Sequence, residues 1–280
     1  MINLSSGLLA GSTLAALFIR NSIVLFLCIV LTNYLAFEEK FVTLEALAYF
    51  CALTVIGLLY FHVQKQNAFI KVVGFFILAT LCAGFVLHEI PGFSKIIIFD
   101  HVKISSAART YTKYLNFDKV MAALILYTAS GLCAAEKELD VDAIKQTILV
   151  YLVCVACILT PAIMSNYIKF DPKLPTILPF WIVNNLLFVC FSEEVIFRGF
   201  LQTQLKSCFK NNGLAVFLSI VLASIIFGLA HYKDGHVFMG LAAICGLFYG
   251  YVYHKTERIT CVVLVHFALN LTHILLFTYP

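Results

Sequence analysis

Two adjacent glutamates and an arginine, Glu193-Glu194-Val195-Ile196-Phe197-Arg198, stand in a run that is otherwise soluble in lipid. An ionised side chain at bilayer depth costs roughly 3 kcal/mol on insertion scales, so three in one stretch call for a reason. At about 100° per residue, Glu194 and Arg198 share a helix face and can pair as i, i+4 neighbours. Glu193 points roughly a quarter-turn away and is left without that cation. A carboxylate so placed, facing a dry cavity, is suited to act as a general base. The competing reading is a set of charges snorkelling at a helix end, since Gly199 and Lys206 follow. Snorkelling favours lysine and arginine over two consecutive carboxylates.

Two further polar motifs follow downstream. His231 ends the apolar run Phe227-Gly228-Leu229-Ala230, just before Tyr232-Lys233-Asp234-Gly235. Alone it reads equally well as an interface histidine. Beside the glutamates of the preceding helix, it could position the same water that a glutamate deprotonates. His266 and Asn270 are four apart and emerge from one helix face. Hydrogen-bond donors aimed at a developing oxyanion are often the largest catalytic term. Taken alone, the same pair is better read as glue between neighbouring helices, at about 1 kcal/mol each. His273 extends that face but lies nearer the chain end and is left outside the site.

These residues need elements to hold them, and the composition names the kind. Of 280 residues, 62% are hydrophobic and 12% charged, with a mean hydropathy of +0.96. Soluble domains carry about 25% charged residues, so the chain is a polytopic, all-α integral membrane bundle. A membrane-spanning helix takes about 20 mostly apolar residues. Candidate spans are 4–19, 22–37, 43–62, 68–88, 118–135, 144–168, 176–200, 214–231, 236–254 and 259–278. The first two are short, and Arg20-Asn21 between them is either a tight turn or a polar break in one helix. Eight to ten transmembrane helices are therefore expected. Residues 89–117, with Pro91-Gly92 and the cations Lys95, Lys103, Arg109 and Lys113 around Ile96-Ile97-Ile98-Phe99, read as a short amphipathic piece on the membrane surface. No basic segment precedes the first apolar stretch, so no cleavable signal peptide is expected.

The formal charge of +4 is small and dispersed, which speaks against nucleic acid as a partner. The ten cysteines lie in or beside apolar segments and read as small packing side chains, the Cys154/Cys157 pair included. Gly246-Leu247-Phe248-Tyr249-Gly250 calls for close helix packing rather than chemistry. Thr160-Pro161 is expected to kink its helix, and the amides Asn184-Asn185 are weaker candidates for the same cavity. Intramembrane ionisable groups are few in residues 1–140 and concentrated after 144. Residues 1–140 are thus expected to form an accessory bundle and residues 144–278 the working domain.

In order, EExxxR, FxxxH and HxxxN, each on its own hydrophobic helix, resemble the CAAX-protease and bacteriocin-processing (CPBP, or Abi) family of intramembrane endopeptidases. The type II CAAX prenyl endopeptidases belong to that family. The resemblance covers roughly residues 147–275, with Gly246, Gly250 and Thr256 leading into the last motif. It implies a helical bundle with a conical cavity open to membrane and water. In it, Glu193 and His231 would activate water, Glu194 and Arg198 would orient the site, and His266 and Asn270 would stabilise the oxyanion. The better-understood relatives look like metal-independent glutamate peptidases, so no cofactor is expected. The alternative is a zinc protease with Glu193, His231 and His266 as ligands. The substrate would be a membrane-anchored protein or peptide within the lipid bilayer, such as a lipidated C-terminal tail, a sorting tail or a bacteriocin precursor. The expected location is a bacterial inner membrane.

Two other classes fit less well. Transporters commonly show inverted repeats with broken helices in both halves, whereas the polar residues here sit in one half. A non-catalytic immunity protein would be marked by loss of a motif residue, and none is missing.

Overall fold

Helices begin where a short polar side chain precedes an apolar run. Asn21, Thr43, Asn67 and Asp140 each accept hydrogen bonds from backbone N–H groups in the first turn of the helix they cap, satisfying donors that otherwise lack partners. In the computed structural model, which describes residues 4–18, 21–64, 67–106, 108, 110–209 and 213–279, these caps open α2 (Ser22–Glu38), α3 (Leu44–Val63), α4 (Ala68–Val86) and α7 (Val141–Met164). They follow α1 (Leu4–Phe18), so the polar residues after Phe18 mark a break between two helices. Arg20 and Arg109 lie outside the described residues.

Among the described residues, seven helices are long and apolar enough to cross a membrane. They are α3, α4, α7, α8 (Leu178–Cys208), α9 (Gly213–Ala230), α10 (His236–Thr256) and α11 (Ile259–Leu276). The all-α polytopic architecture is therefore observed. Leucine, isoleucine and phenylalanine side chains stay exposed along α2, α4 and α7, as expected where lipid is the solvent. Pro161 lies inside α7.

Two segments depart from expectation. The span expected at 118–135 is a 13-residue helix, α5 (Phe117–Ala129), followed after Gly131 by the single turn α6 (Leu132–Ala135). At about 1.5 Å per residue α5 is too short to cross a bilayer core. It is apolar nearly all round and buried from Phe117 to Tyr127, the pattern of a helix enclosed by others. It packs against α1, α2, α3, α4 and α8 and so forms the centre of the bundle. The second departure is residues 89–117, which contain an antiparallel hairpin, β1 (Ile96–Lys103) and β2 (Thr110–Leu115), with Phe99 opposite Lys113 and two register shifts. Its β-branched and aromatic residues favour strands. Phe99 and Tyr111 pack with Trp181 of α8 and Ile274 of α11, which fixes the hairpin over the start of α8.

The GxxxG reading of α10 holds. A Cβ on Gly246 would lie 2.9 Å from the Ser224 backbone of α9, and one on Gly250 would lie 2.8 Å from Gln202 of α8. No disulfide forms among the ten cysteines; Cys154 is buried and Cys157 is exposed.

Candidate active site

Helix α8 carries the glutamate motif and is the most enclosed of the seven. The short α-helical segment Phe191–Glu194 lies between two π-helical stretches, Asn184–Cys190 and Val195–Gln202. Such widened turns are rare and frequently mark functional sites. Every residue from Phe191 to Gln202 is buried, so the motif faces protein on all sides rather than lipid. Snorkelling is excluded for Glu193, Glu194 and Arg198.

Glu194 is the hub of a network joining three helices. Its side chain is fully buried; one oxygen lies 3.1 Å from Arg198 Nη1, and the other is 2.7 Å from His266 Nδ1 of α11. Arg198 donates from Nη2 to the Gly246 carbonyl of α10 at 3.3 Å. Its guanidinium also lies 4.4 Å from the Phe227 ring centre and 5.2 Å from that of Tyr249, within cation–π range. Tyr249 stacks on the His266 ring at 4.7 Å. The i, i+4 pair expected within α8 is thus present, and it also fixes the orientation of the His266 imidazole.

Glu193 differs from its expected environment. It was expected to lack a cation, but Lys119 of α5 donates from Nζ to Glu193 Oε1 at 2.8 Å, with both side chains less than a tenth exposed. The other oxygen, Oε2, is buried and has no hydrogen-bond partner among the described residues. Lys119 escaped the sequence reading because it opens a run taken as a spanning helix. The signal was the one applied to Glu193: Asp118-Lys119 is a charged pair leading into the apolar stretch Val120–Tyr127.

His231 directly follows α9 and holds its Nδ1 2.8 Å from the Phe227 carbonyl. A carbonyl only accepts, so Nδ1 carries the proton and Nε2 is left for chemistry. His231, His266, Asn270 and His273 line one cavity with Phe227 and Tyr249. Glu193 is not part of that lining and is 6% exposed. The expected donor pair is brought together only in part, because Asn270 Nδ2 donates to Asn185 Oδ1 at 3.2 Å and approaches Cys190 Sγ at 3.8 Å. Asn185 and Cys190 therefore belong to the polar cluster, Cys190 Sγ in turn bonding Asn185 Oδ1 at 3.3 Å.

Lys113 of β2 is a further lysine, on the hairpin. Burial, and then the like charge of Lys119, hold it below the ordinary lysine value, while the charge of Glu193 opposes this.

The fit of a metal is mixed. Both histidines donate Nδ1–H to an oxygen, as metal-binding histidines commonly do. Among the described residues, however, no three His, Cys, Asp or Glu side chains are grouped closely enough to hold an ion. The Lys119 ammonium on Glu193 also opposes a second cation there.

Residues 175–272 match the family model described as Type II CAAX prenyl endopeptidase Rce1-like. The matched segment is about a third of the chain and runs from the start of α8 into α11, taking in all six motif residues. The resemblance carried by the motifs is thereby borne out over that segment. No curated protein and no solved structure matches the chain.

Proposed function

We propose that the chain hydrolyses a peptide bond near the C-terminus of a lipidated, membrane-anchored protein, with Glu193 as the general base on water. The observation that carries this reading is the contrast between the two adjacent glutamates. Glu194 bonds His266 through one oxygen and keeps Arg198 at ion-pair distance, 3.1 Å, from the other, which makes no hydrogen bond, whereas Glu193 has Lys119 on one oxygen and neither a hydrogen bond nor a cation on the other among the described residues. Glu194 is built to hold geometry, and Glu193 has an oxygen left for a proton.

In the proposed step, Glu193 Oε2 accepts a proton as the water oxygen attacks the scissile carbonyl carbon. The carbonyl π electrons move onto oxygen to give the tetrahedral oxyanion. His231, fixed through Nδ1, positions the water with Nε2. His266, held by Glu194, presents Nε2–H to the oxyanion when its ring is protonated. Asn270 joins it only by giving up its bond to Asn185 or Cys190. Collapse of the intermediate breaks the C–N bond as Glu193 returns the proton to the leaving amine. Lys119 stabilises the Glu193 carboxylate between these transfers. On this reading the N-terminal half is more than an accessory, because α5 supplies a residue to the site.

The reading is supported without a metal by the Lys119–Glu193 pair, and zinc dependence is an outcome the tests below can return. The direct test is cleavage of a prenylated peptide in proteoliposomes by Glu193→Gln, which keeps shape and removes the base. General acid–base catalysis contributes about 10²–10⁴-fold, so a loss of at least that order is expected. Near-wild-type cleavage would reject the assignment.

A further inference from the structure

His273 lies on the motif face of α11 and is not used by the mechanism above. It follows His266 and Asn270 on one helix stripe, so the three side chains project to the same side. They line one cavity with His231, and α7 contributes Ile158, Leu159 and Ala162 to its wall.

The residues after α11 set the tautomer of this ring. Nε2 of His273 lies 3.1 Å from the Thr278 carbonyl, which only accepts, so in the neutral ring Nε2 carries the proton and Nδ1 bears a lone pair. His231 is the reverse, with its proton on Nδ1. Thr278 is itself held on both sides: its N–H donates to the Lys169 carbonyl at 2.9 Å, and its Oγ1 accepts from the Lys169 N–H at 3.1 Å. Phe170 pairs with Phe277 in an antiparallel bridge. The segment after α7 thus straps down the carbonyl that orients the imidazole, and the Tyr279 ring packs edge-on to it at 5.2 Å. Nδ1 makes no hydrogen bond among the described residues and is not one of their sealed polar atoms.

A peptide entering a cavity with apolar walls brings backbone N–H groups that lose water there, and each needs an acceptor. From His266 to His273 the helix rises about 10.5 Å; laid along α11, an extended chain covers that in about three residues. We infer that Nδ1 of His273 accepts a hydrogen bond from a substrate backbone N–H about three residues from the scissile bond. The ring is then a subsite for the extended main chain, apart from the groups that activate water. This rests on the endopeptidase reading and adds the register in which the substrate lies along α11.

The experiment takes one prenylated peptide and replaces its amides by esters one at a time, at bonds about two to four residues from the scissile one. An ester keeps the chain's shape and lacks the N–H. Wild type in proteoliposomes is expected to lose about five- to fiftyfold in kcat/KM at one of these positions, mostly through KM, as for an acceptor left without its donor. His273→Phe and the smaller His273→Leu, both without an acceptor, are expected to cleave the all-amide peptide less well by a similar factor. In both, the ester penalty at that position should shrink to within about twofold, while any penalty elsewhere stays. His273→Asn, whose Oδ1 can stand where Nδ1 stands, should keep part of the penalty. A packing role for the ring would lower every rate together and leave the penalty in place, which would overturn the inference. So would a flat ester scan on a peptide that wild type cleaves, with the endopeptidase reading left standing. If wild type did not cleave the all-amide peptide, that reading would fall, and this inference with it.

Discussion

Replacing Lys119 by methionine removes the cation from a buried pair while keeping much of the side chain's volume. With an effective dielectric of about 20, unit charges 2.8 Å apart attract by about 6 kcal/mol. Much of this offsets desolvation of two side chains that are each less than a tenth exposed. Breaking such a pair from one side costs about 3–5 kcal/mol, because the remaining charge is left buried. Lys119→Met should therefore lose about that much unfolding free energy in mixed-micelle denaturation. Glu193→Gln alone strands the lysine and should cost a similar amount. The double variant, with no charge left to bury, should recover most of the loss. The expected coupling energy from the cycle is at least about 2 kcal/mol, well above the scatter of about 0.5 kcal/mol for independent sites. Coupling within that scatter would mean that Lys119 and Glu193 do not meet in the folded protein, and the role given to α5 would fail. Proteolysis by Lys119→Met should fall as well, since the carboxylate loses the cation that stabilises its charge.

Two other outcomes follow from the same geometry. Arg198→Lys should be nearly as damaging to cleavage as Arg198→Met, measured as initial rates on a prenylated peptide, because a compact ammonium cannot at once reach Glu194 and the Gly246 carbonyl and stack over Phe227; near-normal rates with lysine would show that only the charge matters. Dialysis against a strong chelator should leave cleavage within about twofold of the untreated enzyme, since the proposed chemistry passes through Glu193 and no ion; loss that is restored by zinc would establish the metal-dependent alternative.

Much of the fold was legible because a lipid solvent writes itself into the chain as long apolar runs. The spans expected at 43–62, 68–88, 214–231, 236–254 and 259–278 lie within a few residues of α3, α4, α9, α10 and α11. Helix α5 was misread because hydropathy cannot separate a helix surrounded by protein from one surrounded by lipid; both look apolar, and its length of 13 residues shows only when Gly131 takes a left-handed turn. The hairpin was missed for a different reason. Its pairing joins residues up to 19 positions apart, Ile96 to Leu115, and a cluster of isoleucines suits a membrane surface as well as a strand. Within the site, the i, i+4 relation of Glu194 and Arg198 is local and could be read directly. The contacts of Glu194 with His266 and of Glu193 with Lys119 span 72 and 74 positions. Only packing decides which of many distant polar residues completes such a pair, so Glu193 looked bare when it is not.

The most direct measurement is the initial rate of prenylated-peptide cleavage by Glu193→Gln in proteoliposomes, with Glu193→Asp alongside and folding checked by monodispersity. If Glu193 removes the proton from the attacking water, the glutamine variant falls by about 10²–10⁴-fold or more, and the aspartate variant keeps measurable activity. A glutamine variant that cleaves at the wild-type rate would contradict the account.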